Sequence, residues 1–338
     1  MFTLNVYESL FEAVEGERMQ NLKLYDLKPN ISDFRDEVLT GLSKNQKEIC
    51  PKFFYDDNGS KIFDQICELE EYYPTRIESE LLRNHCSEIA DLIGDSCLVI
   101  EYGSGSSEKI CILLDNIKKP LVYMPIDISK QHMITASSKI AEIYPELDVL
   151  AVCADYTSKM LLPEYDQNTV KKKVIFFPGT TIANLEHVEA VKLLKQSATI
   201  VGLGGGMLIG VDMRKDPQVI HAAYNDAKGV TAAFNLNLLV RMNRELEANF
   251  NLNSFNHYAF FNLKEGRIEM HLVSLKDQIV TVAGQKFKFI EGESIHTENS
   301  YKFSMEEVKD LSEECGFKLI KAWSDDSNYF SICYLSIV

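Results

Sequence analysis

The chain has 338 residues, 46% of them hydrophobic and 25% charged, with 17 glycines and 9 prolines. It is longer than one core of about 100–150 residues and too poor in Gly and Pro for a fibrous or low-complexity chain. With 50 acidic against 35 basic residues the net charge is -15, which opposes a phosphate backbone and makes nucleic acid a poor partner.

The 8 cysteines are scattered, with no C-x-x-C pair and no histidine at ligand spacing. They read as reduced thiols used as small core hydrophobes, and no metal site is expected. There is no run of about 18 apolar residues, and Met1 to Asn5 lack the basic and apolar parts of a secretion leader. A soluble, cytoplasmic protein with no membrane partner is the expectation.

Along the chain, residues 1–45 read as a lead-in, with Pro29, Asn30 and Asp33 turning the backbone before a helix from Phe34 to Leu42. From Ser79 to Ile93, Leu81, Leu82, Ile89, Leu92 and Ile93 fall near helical spacing, which predicts an amphipathic helix stopped by Gly94. Apolar runs follow at Cys97–Glu101, Leu121–Asp127, Asp148–Asp155, Val174–Pro178 and Met207–Asp212, with a helical stretch such as Ser129–Ile143 between them. Short strands that are apolar on both faces and alternate with helices predict a parallel sheet covered on both sides, a doubly wound α/β domain.

After residue 212 the texture changes. Helices are predicted over His221–Lys228 and Val230–Ala248, and strands near Tyr258–Asn262, Arg267–Ser274 and Gln278–Val282. A hairpin-like turn at Lys264-Glu265-Gly266 suggests antiparallel pairing, and a helix at Ser304–Cys315 and a strand at Tyr329–Val338 end the chain. The expected division is 1–212 for a lead-in plus the α/β domain and 213–338 for an appended substrate-binding α+β domain.

Chemistry concentrates in the first half. Glu101-Tyr102-Gly103-Ser104-Gly105 follows the first apolar strand and precedes a helix near Glu108; its glycines allow a tight turn and close approach to a ligand, although such turns also cap strands for structural reasons. Asp127 ends the second strand, where a carboxylate can accept both ribose hydroxyls. Asp155 ends the third, where it can take an adenine amino hydrogen bond. In an open α/β sheet, ligands sit at these carboxyl ends, so an adenosine ligand is expected. A dinucleotide fingerprint requires a third glycine where this chain has Glu108. An acid is unfavourable beside a pyrophosphate, whereas the sulfonium and amino group of S-adenosylmethionine tolerate carboxylates. Lys109 is placed either to pair with the methionyl carboxylate or to lie as a solvated helix lysine.

Four further segments carry a resemblance. They are Tyr55-Asp56-Asp57-Asn58-Gly59-Ser60-Lys61-Ile62-Phe63-Asp64, Glu71-Tyr72-Tyr73-Pro74-Thr75-Arg76-Ile77-Glu78, Phe177-Pro178-Gly179-Thr180-Thr181-Ile182-Ala183-Asn184-Leu185, and Tyr224-Asn225-Asp226 through Thr231-Ala232-Ala233-Phe234-Asn235. In this order the chain resembles the histidine-specific methyltransferases of ergothioneine biosynthesis over nearly its whole length after about residue 30. The resemblance implies a Rossmann-like S-adenosylmethionine-dependent fold with an appended α+β substrate domain. It also implies three methylations of the α-amino nitrogen of L-histidine to give hercynine; a monomer is the expected state. By position in the motifs, Tyr55, the implied catalytic residue, and Tyr72 resemble the tyrosines around the amino group, and Asn184 and Tyr224 the pair that holds the carboxylate. Glu298 and Ser300 resemble the residues that read the imidazole, with Met270 lining the same pocket. Gly103, Lys109, Asp127, Asp155 and Tyr156 match the cofactor contacts. Ala183 departs from the Gly expected in the Thr-Ile-Gly-Asn form of the third motif. By residue type alone, Tyr55, Tyr72 and Tyr73 read as half-buried core aromatics and Asn184 as a turn residue. Two alternatives stand beside the leading function: another aromatic amino acid as substrate, or a sensor that binds without turnover.

Overall fold

The computed structural model describes residues 21–27, 32–105 and 107–338, so the turn expected at Pro29 and Asn30, and Ser106, lie outside it. Its strands are β1 (Leu22–Asp26), β2 (Lys47–Glu48), β3 (Cys97–Tyr102), β4 (Val122–Asp127), β5 (Asp148–Cys153), β6 (Lys172–Phe177), β7 (Gly206–Asp212), β8 (Phe255–Asn262), β9 (Arg267–Ser274), β10 (Gln278–Val282), β11 (Gln285–Phe289), β12 (Ser294–Tyr301), β13 (Lys318–Ser324) and β14 (Phe330–Ser336). The helices are α1 (Ser32–Leu42), α2 (Asp57–Cys67), α3 (Tyr73–Ile93), α4 (Glu108–Leu114), α5 (Lys130–Ile143), α6 (His187–Val201), α7 (Pro217–Tyr224), α8 (Val230–Glu245) and α9 (Met305–Glu314).

Eight strands form the main sheet in the order β1-β5-β4-β3-β6-β7-β14-β13. The first six run parallel, and β14 and β13 close the far edge antiparallel. Every residue of β3 is buried, because the sheet is covered on both faces and successive side chains point to opposite sides. Cys97 and Val99 join the core under α3, α4 and α5, while Leu98 and Ile100 join the one under α6 and α9. Chain order reverses at β3, which has β4 on one side and β6 on the other, so a crevice opens at the carboxyl ends of these strands.

Above that crevice sits a four-stranded sheet, β2-β12-β9-β8, with the hairpin β10–β11 beside it. Its core joins Phe34, Phe53, Phe54, Tyr72 and Tyr73 to Ile220, Phe234, Leu272 and Ile295. The division drawn at residue 212 is thus crossed twice: residues 34–73 pack with the second unit, and β13 and β14 extend the first sheet.

Two elements differ from expectation in instructive ways. The helix expected over His221–Lys228 instead runs Pro217–Tyr224. It stops with Asn225 as its C-cap, and Asp226 instead accepts hydrogen bonds from the backbone N–H of Val230 (2.9 Å) and Thr231 (2.8 Å) at the start of α8. α3 begins at Tyr73, six residues before the expected Ser79, because Pro74 in its first turn starts a helix rather than blocking one. Among the described residues no helix is long and apolar enough to cross a membrane, and all eight cysteines are unpaired.

Candidate active site

The glycine turn lies at the carboxyl end of β3. Gly103 (φ 74°) and Gly105 (φ 26°) adopt left-handed backbone angles, and the Gly103 N–H is bonded to the Ile126 carbonyl of β4 at 2.9 Å. Next door, Asp127 ends β4 and accepts from the Ser129 N–H at 2.8 Å. Burial raises its carboxyl above the ordinary aspartate range, against hydrogen bonds from the backbone of Ser129, Ser104 and Gly105. Asp155 follows β5 and accepts from the Thr157 N–H at 2.9 Å. Tyr156 stacks on Tyr102 (5.1 Å, 8°) and meets Phe177 edge-on (5.8 Å), forming an aromatic wall across the ends of β3 and β6. Gly103, Asp127, Asp155 and Tyr156, four of the five residues expected at the cofactor, therefore converge on the switch point. Glu108, the acid that argues against a pyrophosphate in the sequence, instead faces outward and pairs with Arg83 at the surface.

Lys109 is not a solvated helix lysine. Its ammonium pairs with Glu78 of α3, whose side chain is almost wholly buried. Both Glu78 oxygens accept from the Gly179 N–H, at 2.9 and 3.0 Å. A Cβ on Gly210 would come within 2.3 Å of Glu78 Oε1, so the bare glycine of β7 makes room for this carboxylate. Glu78 thereby ties the cofactor end to the loop that leads into Asn184. It lies inside a quoted motif, but its partners are too distant in sequence for its role to be read there.

Asn184 ends a single 3-10 turn, Thr181–Asn184, and its Nδ2 donates to the Asn299 carbonyl of β12 at 2.7 Å. Ala183 is fully buried and is not among the positive-φ residues, so its backbone does not require the glycine expected there. The β9–β12 ladder carries a bulge between His296 and Glu298. Thr297, the extra residue, turns inward, with its Oγ1 2.8 Å from Asn235 Oδ1 and 3.0 Å from the Met270 carbonyl. Beyond the bulge Glu298 stands directly opposite Met270, so the two side chains share a face. Tyr224, at the end of α7, donates to Ser300 Oγ at 2.7 Å.

Tyr55 follows a 3-10 turn, Pro51–Phe54, and packs edge-on against Phe63 (5.6 Å) and Phe234 (5.7 Å). Tyr72 packs edge-on against Phe63 (6.3 Å) and Tyr224 (6.4 Å). Among the described residues neither Tyr55 nor Tyr72 has a hydrogen-bond partner for its hydroxyl. Burial raises both phenols well above the ordinary range, with Glu298 and Tyr224 adding to the effect, so both keep their protons at neutral pH. Burial pushes Glu298 up to about 7, against the pull of Lys302 and a hydrogen bond from Asn184. All seven residues expected at the substrate end thus belong to one cluster around the buried Glu298 carboxyl group, linked by ring contacts, the Tyr224–Ser300 hydrogen bond and the Glu298–Met270 pair.

One cluster has no counterpart in the sequence patterns. Glu269, His271 and His296 each bring a potential ligand atom within 4.8 Å of the others. The two histidines are far apart in the chain, and only the ladder makes them opposite. Glu269 Oε1 is held by Asn262 (3.0 Å) and Arg267 (2.9 Å), leaving Oε2 to His271 at 3.3 Å.

Residues 34–337 match the family model described as "Histidine-specific methyltransferase, SAM-dependent". The chain is 38% identical to the histidine N-alpha-methyltransferase of Mycolicibacterium smegmatis (strain ATCC 700084 / mc(2)155), covering 88% of this chain and 93% of that protein. It is 29% identical to ergothioneine biosynthesis protein 1 of Neurospora crassa, over 81% of this chain and 32% of that longer protein. Among solved structures, an S-adenosylmethionine-dependent methyltransferase from Clostridium acetobutylicum ATCC 824 aligns with a TM-score of 0.46 at 11% identity, covering 83% of this chain and 98% of that one. The chain belongs to the histidine-specific, S-adenosylmethionine-dependent methyltransferase family.

Proposed function

We propose that this chain, acting as a monomer, transfers methyl groups from S-adenosylmethionine to the α-amino nitrogen of L-histidine three times in succession, yielding hercynine. The observation that carries the reading is the meeting of Asn184, Tyr224, Glu298 and Ser300, from three separate segments, beside Tyr55 and Tyr72. A carboxyl group and a hydroxyl side by side suit an imidazole, which offers one N–H and one bare nitrogen.

The cofactor end suits S-adenosylmethionine. A Cβ on Gly103 would meet nothing within 4 Å, so the backbone there borders open space. Ser104 Oγ is buried without a partner, and Asp127 offers a carboxylate beside it. Gly103, Asp127, Asp155 and Tyr156 would hold the adenosine, with Lys109 near the methionyl part. When bound, S-adenosylmethionine supplies an already activated methyl group on a sulfonium. What the chain must do is bring the amine in line and present it without its proton. Tyr55 and Tyr72 are suited to orient the amine, since their unpartnered hydroxyls stay neutral and put no full charge beside it. Their faces also favour the cation that accumulates as methyl groups are added.

Asn184 and Tyr224 are assigned to the amino acid's carboxylate. Histamine, which has the ring and amine but no carboxylate, should be methylated far more slowly than histidine, and Asn184→Ala should narrow that gap by raising the histidine KM. Equal rates for histamine and histidine on the unmodified protein would reject the assignment.

A further inference from the structure

Behind Tyr224 and Ser300 lies a group of buried charges with no part in the chemistry described so far. Lys302 and Asp212 are wholly buried, with Lys302 Nζ 2.8 Å from Asp212 Oδ2. The side chain of Lys215 is 2% exposed, and its ammonium pairs with the other carboxylate oxygen. The Tyr73 hydroxyl lies 2.9 and 2.8 Å from the two Asp212 oxygens and 2.7 Å from Lys215 Nζ. Two ammonium groups therefore share one carboxylate in the interior. Even a balanced buried pair recovers little more than its desolvation cost, so an unbalanced third charge calls for a counter-charge. Burial pushes Lys215 down to about 8 despite Asp212, with Lys302 repelling it and Asp325 opposing that effect. Glu298, the acid on which Lys302 pulls, is itself held at about 7. Asp325 is partly exposed and accepts from the backbone N–H of Tyr329 and Phe330, and burial leaves Glu298 only partly ionised at neutral pH.

The surplus lies against Tyr224 and Ser300. Lys302 Nζ donates to Ser300 Oγ at 2.7 Å and to the Tyr224 hydroxyl oxygen at 3.3 Å, and it lies 5.0 Å from the centre of the Tyr224 ring. An ammonium can only donate, so both hydroxyl oxygens act as acceptors toward it and both O–H groups remain free to donate elsewhere. In the structure Tyr224 donates to Ser300; a carboxylate entering beside Tyr224 is a stronger acceptor for that proton. We propose that Lys302, held in place by Asp212, Tyr73 and Lys215, is a positioning residue for the amino acid's carboxylate. It acts through Tyr224, and the net positive charge behind that hydroxyl is balanced only when that carboxylate binds.

This inference rests on the assignment of Tyr224 to the carboxylate. It is tested by calorimetry, titrating histidine and histamine into the full chain saturated with S-adenosylhomocysteine, which allows no turnover. Lys302→Met removes the surplus charge and leaves Asp212 paired with Lys215 and Tyr73. It should weaken histidine about tenfold or more while changing histamine by less than about threefold, the size expected for one charge acting across a partly polar interior. Lys215→Met removes the same charge without touching Tyr224 or Ser300. It should lower the histidine-to-histamine affinity ratio in the same direction, and it decides the matter if Lys302→Met does not fold. An unchanged ratio in either folded variant, or equal weakening of both ligands, overturns the proposal in favour of a purely structural cluster. An unmodified protein that does not prefer histidine to histamine would instead overturn the assignment of Tyr224.

Discussion

Of the single residues, Glu298 has the largest expected effect on specificity. It is a buried carboxyl group beside Tyr55 and Tyr72, held up at about 7 by burial, and it faces the same side as Met270. Glu298→Ala leaves a ring N–H without its acceptor at a cost of about 1–3 kcal/mol. Histidine turnover should fall while cofactor binding is kept, and the vacated volume should narrow the gap between histidine and tryptophan. Paired rate measurements on the two amino acids check this, and an unchanged ratio would remove Glu298 from the specificity pocket. At the other end, Asp127→Ala should weaken S-adenosylmethionine binding by about 1.5–3 kcal/mol through loss of a charged acceptor for the ribose. Direct titration with the cofactor reads this, and unchanged affinity would refute the assignment of the β4 terminus.

At the scale of elements, the bulge in β12 controls what the site presents. Without the extra residue, Glu298 would flip to the opposite face, because side chains alternate along a strand. Thr297 secures the bulge through Asn235 and the Met270 carbonyl. Thr297→Val keeps the shape and loses the hydroxyl, so about 1 kcal/mol of local support should go. The kcat/KM for histidine should drop while affinity for S-adenosylhomocysteine stays constant; unchanged kcat/KM would show that the bulge holds without it.

This element also marks where the sequence stops being legible. β3 to β7 can be read because strands buried on both faces are continuous apolar runs. β12 cannot, since Ser294-Ile295-His296-Thr297-Glu298-Asn299-Ser300-Tyr301 is mostly polar and reads as loop, although Ile295, Thr297, Glu298 and Ser300 are buried. The tyrosines, Asn184 and Glu298 are recoverable only through the resemblance, since each by type alone suits a core or turn. Glu78, Asp212, Lys215 and Lys302 give no local signal, because the partners that define them come from distant parts of the chain.

For the whole molecule, the second unit draws on two separate stretches of the chain: residues 34–73 and 220–295 build one core over the mouth of the main sheet. Closing that mouth buries acids, which has a consequence for stability. Burial holds Glu101 at about 8 and Glu298 at about 7, against an ordinary value of 4.5. The folded chain thus retains protons there that the unfolded chain has released. Stability from these two groups is fully present below about pH 4.5 and is lost as pH rises through about 7 and about 8, with about 1.4 kcal/mol at stake for each tenfold difference in proton affinity between the folded and unfolded chain. Thermal unfolding from about pH 5.5 to about pH 8 should show the Tm of Glu101→Gln and Glu298→Gln falling less steeply than that of the unmodified protein. Parallel curves would contradict the burial of these acids.

The central claim is that the two ends of this site carry out methyl transfer to the α-nitrogen of histidine. Mass spectrometry with fragmentation, following histidine and S-adenosylmethionine over time, tests it most directly. Mono-, di- and then trimethylated histidine should appear in turn, with every methyl on the α-nitrogen and none on the ring; methylation of the imidazole, or no methylated histidine at all, would contradict the claim.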